Sequence, residues 1–158
     1  MSTGENQRGG APVGLLAELP QVESIAVMCL RLWSDGPDQQ AEVWNRFATS
    51  LGPVQGREAL KRFEALCELC ARFGRRPLIR HCASCKCIGA DESCFANLIG
   101  YASEGAREDA LLLATNLVRP DMAGALASLA EEFGMALKRL SLRTPHFAGP
   151  PVEQPTLH

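Results

Sequence analysis

Apolar residues recur every three or four positions through the middle of the chain, which is the spacing of one face of an α-helix. In residues 20–33, for example, Val22, Ile25, Cys29 and Trp33 fall on one face. Glycine and proline interrupt the pattern between successive segments. Six helices are predicted in this way: 20–33, 38–51, 53–73, a fourth that has Asp91 as its N-cap and includes Ala102, 106–118 and 120–141.

The pattern that is typical of strands is nearly missing from the sequence. Runs in which β-branched residues alternate with polar residues do not occur. Helix three is followed by Gly74, two arginines and Pro77, so the stretch 75–90 is predicted to be irregular. The predicted fold class is therefore all-α, a single-domain bundle of five to six helices with a cysteine-rich loop between helices three and four.

The two ends of the chain differ in composition from its middle. Residues 1–14 are rich in glycine and polar side chains, and four prolines fall within residues 144–158. Because such stretches bury little apolar surface, we expect a disordered N-terminal segment and a Pro-rich flexible tail. The helical domain is predicted to cover residues 15–143, and 158 residues is a usual length for one domain.

Charge and hydropathy narrow the class of protein. The formal net charge is −2 and the pI is about 5.9, whereas a nucleic-acid-binding domain is usually strongly basic. No apolar run reaches the ~18 residues of a membrane span, and the polar start of the chain lacks the apolar segment of a signal peptide. We therefore expect no membrane association and a cytoplasmic location, where clustered cysteines more often bind metals or carry redox chemistry than form disulfides.

One short stretch between helices three and four holds three thiols and an imidazole, namely Cys82, Cys85, Cys87 and His81. Zinc is held by about four thiolate or imidazole ligands, and a Cys-x-x-Cys turn such as Cys82–Cys85 supplies two of them. Cys87 adds a third sulfur from the same loop. The fourth ligand stays open among His81, Cys94 and, less favoured, Cys67 and Cys70. The leading cofactor prediction is therefore zinc.

Four further cysteines lie on predicted helices, where a free thiol often behaves as a small buried apolar group. Cys67 and Cys70 share a helical face with Leu66 and Phe73, so a core position is favoured for both. For Cys94 the core and ligand interpretations are equally supported. The fourth, Cys29, is predicted to be a core residue.

Two other uses of the thiols stay open. In a thiol-based redox sensor, Cys82 and Cys85 would form a reversible disulfide, with Cys87 or Cys94 as a resolving thiol. An iron–sulfur cluster also uses cysteine ligands, but the usual ferredoxin spacings are missing, so it ranks below zinc.

Five basic residues surround the cluster within a stretch of fifteen residues that has no Asp or Glu: Arg72, Arg75, Arg76, Arg80 and Lys86. Positive charge would favour thiolates, and it would also offset the negative charge of a thiolate zinc site. It could instead bind phosphates, which makes a nucleic-acid-binding regulator a third, less favoured hypothesis. The arginines near the end of helix three also complement the helix dipole.

No motif of a known enzyme class is present. The chain has no Gly-x-Gly-x-x-Gly, no Walker sequence and no His-Glu-x-x-His, so an enzymatic function is not favoured. The leading hypothesis is a zinc-binding helical protein with a regulatory or protein-interaction role. The helix 120–141 has a heptad-like apolar seam, which predicts a surface for a protein partner or homodimer or, as we favour, burial inside the monomer.

Overall fold

The computed structural model describes residues 9–143, which form six helices and one small sheet. The helices are α1 (Gln21–Trp33), α2 (Pro37–Leu51), α3 (Pro53–Phe73), α4 (Ala90–Ser103), α5 (Arg107–Leu117) and α6 (Pro120–Arg143). The strands are β1 (Pro12–Leu15) and β2 (Cys87–Gly89). The all-α bundle with a cysteine-rich loop between the third and fourth helices is thus confirmed. The predicted tail, 144–158, and residues 1–8 lie outside the described residues.

Glycine–proline pairs set the boundaries between the first three helices. Gly36 and Gly52 precede α2 and α3 with φ values of 102° and 86°, a region in which a residue with a Cβ is strained. Each is followed by a proline in the first helical turn, where the missing N–H costs no helical hydrogen bond. Because a single residue separates them, α2 and α3 fold back on each other and pack side by side.

α1 and α6 supply the centre of the core. Residues 24–32 of α1 are all buried, since other elements cover this helix on every side. From α6, the ring of Phe133 lies with its centroid 5.2 Å from that of Phe63 on α3 and 6.3 Å from that of Phe47 on α2. Aromatic rings at these separations contribute packing energy beyond the area that they bury.

The apolar seam of α6 faces into the bundle. Leu126, Phe133 and Leu140 have no exposed surface. Burial inside the monomer therefore accounts for the heptad-like spacing. Binding of a protein partner, or formation of a homodimer, through helix 120–141 stays a prediction. The cytoplasmic location also stays a prediction. No helix within residues 9–143 combines the length and the apolar character that are needed to cross a bilayer.

The sequence pattern did not predict β1 and β2, because strands of four and three residues are too short to show alternation. The strands pair antiparallel, with Leu15 opposite Cys87. Residues 12–14, for which we expected disorder, thus belong to an ordered strand. Ile88 is 4% exposed and sits in a small apolar cluster that fastens β2 to the bundle. The sheet therefore fixes one end of the segment that carries the thiols.

Candidate functional site

The thiol loop, residues 81–87, is anchored to the core by Arg31 of α1. The buried Arg31 side chain donates two hydrogen bonds to the carboxylate of Glu92, with Nε–Oε2 2.7 Å and Nη2–Oε1 3.0 Å. It also donates to the carbonyl oxygens of Cys85 and Cys87, each at 2.7 Å. A buried charge is tolerated when it is paired and hydrogen-bonded, and Arg31 meets both conditions. The loop backbone at these two cysteines is therefore held from the core side.

Sequence reasoning missed Arg31 and Glu92. The signal was present, because Arg31 is the one charged residue in the apolar stretch 25–33, and a charge in a buried helix needs a partner. Glu92 is the third residue of α4 and also accepts the amide hydrogen of Gly89 at 3.0 Å. A carboxylate at this position satisfies an amide that the helix leaves unpaired. The distance of 61 residues between Arg31 and Glu92 hid their contact from pattern analysis.

Asp91 was predicted as the N-cap of the fourth helix, and this is wrong, because α4 begins at Ala90 and Gly89 is the N-cap. The buried Asp91 carboxylate instead pairs with both terminal nitrogens of Arg76, with Nη1–Oδ2 2.7 Å. It also accepts the amide hydrogen of Ile79 at 2.8 Å. These bonds hold the chain that precedes the thiol loop against the start of α4.

His81 is placed so that both ring nitrogens face hydrogen-bond acceptors. Its Nε2 lies 2.7 Å from the carbonyl oxygen of Gly10. Its Nδ1 lies 3.2 Å from the carbonyl oxygen of Cys87 and 3.4 Å from Sγ of Cys85. Carbonyl oxygens only accept, so the doubly protonated imidazolium satisfies this site best. The bond to Gly10 is the largest cause that raises the pKa of His81 above its ordinary 6.5, and the contact with Cys85 adds to it.

Cys85 is the thiol that this arrangement activates. A hydrogen bond from the backbone at Cys87 and another from His81 lower the pKa of Cys85 from its ordinary 9.0. Both bonds favour the charged form of the sulfur, and the thiolate is the nucleophile and the metal ligand. The amide hydrogen of Cys85 is itself donated to the carbonyl oxygen of Cys82 at 3.0 Å, which closes a tight turn. The exposed Cys82 thiol lies 3.6 Å from the Ser84 hydroxyl.

The four cysteines on helices face the bundle. Cys29 and Cys70 are buried, and Cys67 and Cys94 are half-buried and packed against the core. Burial raises the pKa of Cys67 to about 12 and that of Cys70 and Cys94 to about 11. The Cys94 sulfur points to the carbonyl oxygen of Leu113 at 3.8 Å. At neutral pH these thiols are protonated and little reactive, in contrast to Cys85.

The predicted zinc ligands are only partly brought together. His81 and Cys85 are in contact, whereas Cys94 turns toward α5. Among residues 9–143, no three or more His, Cys, Asp or Glu side chains are grouped so that they could hold a metal ion. Zinc binding and the iron–sulfur alternative stay predictions.

Three of the five predicted basic residues are bound to oxygen atoms of the protein, namely Arg72, Arg75 and Arg76. Arg72 pairs with a glutamate one helical turn away, and Arg75 donates to a backbone carbonyl at 2.7 Å. Arg80 and Lys86 are exposed. Much of the positive charge thus serves the fold, and nucleic-acid binding stays a prediction.

Comparison with known proteins adds no assignment. The chain matches no protein-family model, no curated protein and no solved structure. The chemistry of the site follows from its own geometry, in which a cysteine and a histidine are in hydrogen-bond contact on a loop that a buried ion pair holds in place.

Proposed function

We propose that the protein is a thiol-based redox sensor, in which Cys85 is the reactive thiolate and Cys82 traps its oxidised form as a reversible disulfide. The position of His81 carries the proposal, because both ring nitrogens face acceptors and Nδ1 lies 3.4 Å from Sγ of Cys85. An imidazolium beside a thiol favours the thiolate, which is the form that oxidants attack.

The oxidant is a hydroperoxide, for which hydrogen peroxide is the simplest example. The Cys85 thiolate attacks one peroxide oxygen, the O–O bond breaks, and the leaving hydroxide takes up a proton, so that a sulfenic acid and water form. The Cys82 thiolate then attacks the Cys85 sulfur, and the displaced hydroxide is protonated to a second water. The two thiols lose two electrons in total, and an external dithiol returns them.

Cys82 is better placed than Cys87 to resolve the sulfenic acid. It is exposed, and the hydrogen bond from the Cys85 amide to its carbonyl puts the two cysteines at the ends of one turn. The Cys87 backbone is instead held by Arg31 and by its pairing with β1. Movement at Cys82 therefore disturbs less of the fold than movement at Cys87.

Peroxide treatment followed by mass spectrometry tests the proposal. The reduced protein is exposed to one equivalent of hydrogen peroxide, its remaining thiols are alkylated, and the disulfide is mapped by proteolysis. We expect one disulfide, Cys82–Cys85, that dithiothreitol reverses. The variant Cys85→Ser should form no disulfide, whereas Cys82→Ser should accumulate a sulfenic acid at Cys85 that a dimedone probe captures.

Two control variants make the test specific. Cys87→Ser and Cys94→Ser each remove a thiol that could resolve Cys85 in its place, and both should still form the Cys82–Cys85 disulfide, Cys94→Ser at the wild-type rate. A disulfide that maps to any other pair would overturn the assignment of Cys82. If Cys85 is oxidised no faster than the half-buried Cys94 in the wild-type protein, the redox proposal is wrong.

A further inference from the structure

A cleft of about 440 Å³ opens between the last turns of α3 and the chain that leads to the thiol loop. Its deep side is apolar, since Leu30 and Phe95 are buried there together with Cys70. Cys67, Ala71 and Leu78 continue the apolar wall. The volume is that of a pocket for a small organic molecule.

The rim of this cleft is cationic. Arg75, Arg76 and Arg80 line it, and no Asp or Glu is among the lining residues. Arg76 is paired with Asp91, so its charge is compensated within the fold. Arg75 donates through Nε to a backbone carbonyl, and no acid among residues 9–143 forms an ion pair with it or with Arg80. Two positive charges therefore line an apolar cavity that has no carboxylate in its own lining.

Arg80 and Cys67 line the same cavity. Burial raises the pKa of Cys67 most, Cys70 and Glu64 also raise it, and the positive charge of Arg80 opposes this rise. A ligand in this cleft therefore has both the Cys67 thiol and the Arg80 guanidinium in its lining.

We infer that this cleft binds a small amphipathic anion, with an apolar body against Leu30, Cys67 and Phe95 and a carboxylate or similar head group at Arg75 and Arg80. The apolar wall gives affinity by removing hydrocarbon from water, and the guanidinium groups select the anion through charge-assisted hydrogen bonds. This site is separate from Cys82 and Cys85, which are not among the lining residues. It therefore stands independently of the redox proposal.

Decanoate is the probe, and decanol is its uncharged analogue. Calorimetry with the full chain should show that decanoate binds and that decanol binds at least about tenfold more weakly, because it cannot accept charge-assisted hydrogen bonds as an anion does. Arg80→Gln should weaken decanoate binding by about tenfold for the same reason. Lys86→Gln is the matched control, since it removes an exposed positive charge that does not line the cleft, and it should bind decanoate as the wild-type protein does.

A second measurement locates the ligand. Decanoate should shift the backbone amide NMR signals of Ala71 and Leu78, which line the cleft, but leave that of Cys82 unaffected. Ala71→Trp, on the exposed edge of the cleft, should fill the cavity and abolish binding. Equal affinity for decanoate and decanol, no shift at Ala71 and Leu78, or unchanged binding in Arg80→Gln would each overturn the inference.

Discussion

Arg31 and Glu92 form an ion pair in which neither side chain is exposed to solvent. The pair joins α1 to the first turn of α4, and the same guanidinium donates to the carbonyl oxygens of Cys85 and Cys87. No buried side-chain nitrogen or oxygen among residues 9–143 lacks a hydrogen-bond partner, so the charges are fully compensated. The core and the reactive loop are therefore one connected structure.

Removing Arg31 alone should be strongly destabilising. Arg31→Met leaves the Glu92 carboxylate buried without its partner, which costs about 3–5 kcal/mol in the free energy of unfolding. The double variant Arg31→Met/Glu92→Leu removes both charges and should recover most of this loss. Urea unfolding of the wild type and both variants measures the difference.

The control for this prediction is a surface ion pair. Arg62 pairs with Glu58 and Glu132 on exposed helical faces, and Arg62→Met should cost less than about 1 kcal/mol. The double variant at Arg31 and Glu92 also lacks the donors to the loop carbonyls, so its Cys85 should be alkylated more slowly even where stability is restored. A double variant that is no more stable than Arg31→Met would contradict the account of the pair.

Acid should weaken the fold through Glu92. Burial by itself raises the pKa of Glu92, but hydrogen bonds from Arg31 and from the Gly89 amide outweigh burial and hold the pKa below its ordinary 4.5. The unfolded chain then takes up this proton at a higher pH than the native chain, so the stabilisation is complete above about pH 4.5 and is lost as pH falls through the lower native pKa.

Urea unfolding between about pH 6 and about pH 3 measures this loss. Glu92→Gln should be less stable than the wild type near neutral pH, yet it should lose less stability on acidification because it has no carboxyl group to protonate. An equal loss in both proteins would show that Glu92 does not carry the effect.

The alkylation rate of Cys85 should depend on His81. Since the Cys87 backbone and His81 lower the pKa of Cys85, its reaction with iodoacetamide should reach half its maximal rate below pH 9.0. His81→Asn removes one of these hydrogen bonds, so the midpoint should move toward higher pH. Mass-spectrometric counting of alkylated Cys85 over a pH series gives the profile.

Lys86→Gln is the matched control for His81→Asn, because it too removes a positive charge from the thiol loop but Lys86 is exposed. It should leave the midpoint close to that of the wild type. A midpoint that moves equally in both variants would mean that general loop charge, and not the His81 contact, activates Cys85.

Two glycines of α6 should respond to alanine in opposite directions. A Cβ at Gly134 would lie 2.7 Å from Cβ of Ser103 and 3.0 Å from the carbonyl oxygen of Ile99, so α4 and α6 would have to separate. A Cβ at Gly124 would meet no atom within 4 Å. Gly124→Ala should therefore stabilise the protein by about 0.5–1 kcal/mol through helix propensity, whereas Gly134→Ala should destabilise it. Thermal unfolding measures the change in stability of each variant. If alanine stabilised the protein at both positions, or destabilised it at both, this account of packing at Gly134 would be contradicted.

The zinc hypothesis is tested by the metal content of the purified protein. If the thiol loop holds zinc, protein that is purified without a chelator should carry stoichiometric metal, and Cys82→Ser or Cys85→Ser should lower both the metal content and the melting temperature. Native mass spectrometry reports bound metal and disulfides on the same sample. Equal metal content in the wild type and a Cys82→Ser/Cys85→Ser double variant would exclude the loop as a zinc site.

The helices could be predicted from sequence because the signals that define them are local. The apolar stripe of 53–73 and the Gly52–Pro53 pair fall within a few residues of each other, and α3 has these bounds in the structure. β1 could not be predicted in the same way. Its partner, β2, lies more than seventy residues away, and neither strand is long enough to show its own pattern.

The candidate site was predictable in position but not in its chemistry. Local density of thiols identified the loop that holds Cys82 and Cys85. The groups that lower the pKa of Cys85, namely the Cys87 backbone and His81, lie in the same loop. The groups that hold them in place are distant, since Arg31 is 54 residues from Cys85 and Gly10 is 71 residues from His81. A single sequence gives no register between such distant residues, so these supporting contacts were out of reach.

The bond between His81 and Gly10 also makes Cys85 report on whether the chain is folded. An unfolded chain has the same thiols. In it, however, the Gly10 carbonyl no longer contacts His81, and the Arg31 guanidinium no longer contacts the loop. In such a chain Cys85 reverts to an ordinary cysteine, so a pulse of labelling reagent would count native molecules in a mixture. The reactivity of Cys85 toward oxidants would thus appear when the chain folds and be lost when it unfolds.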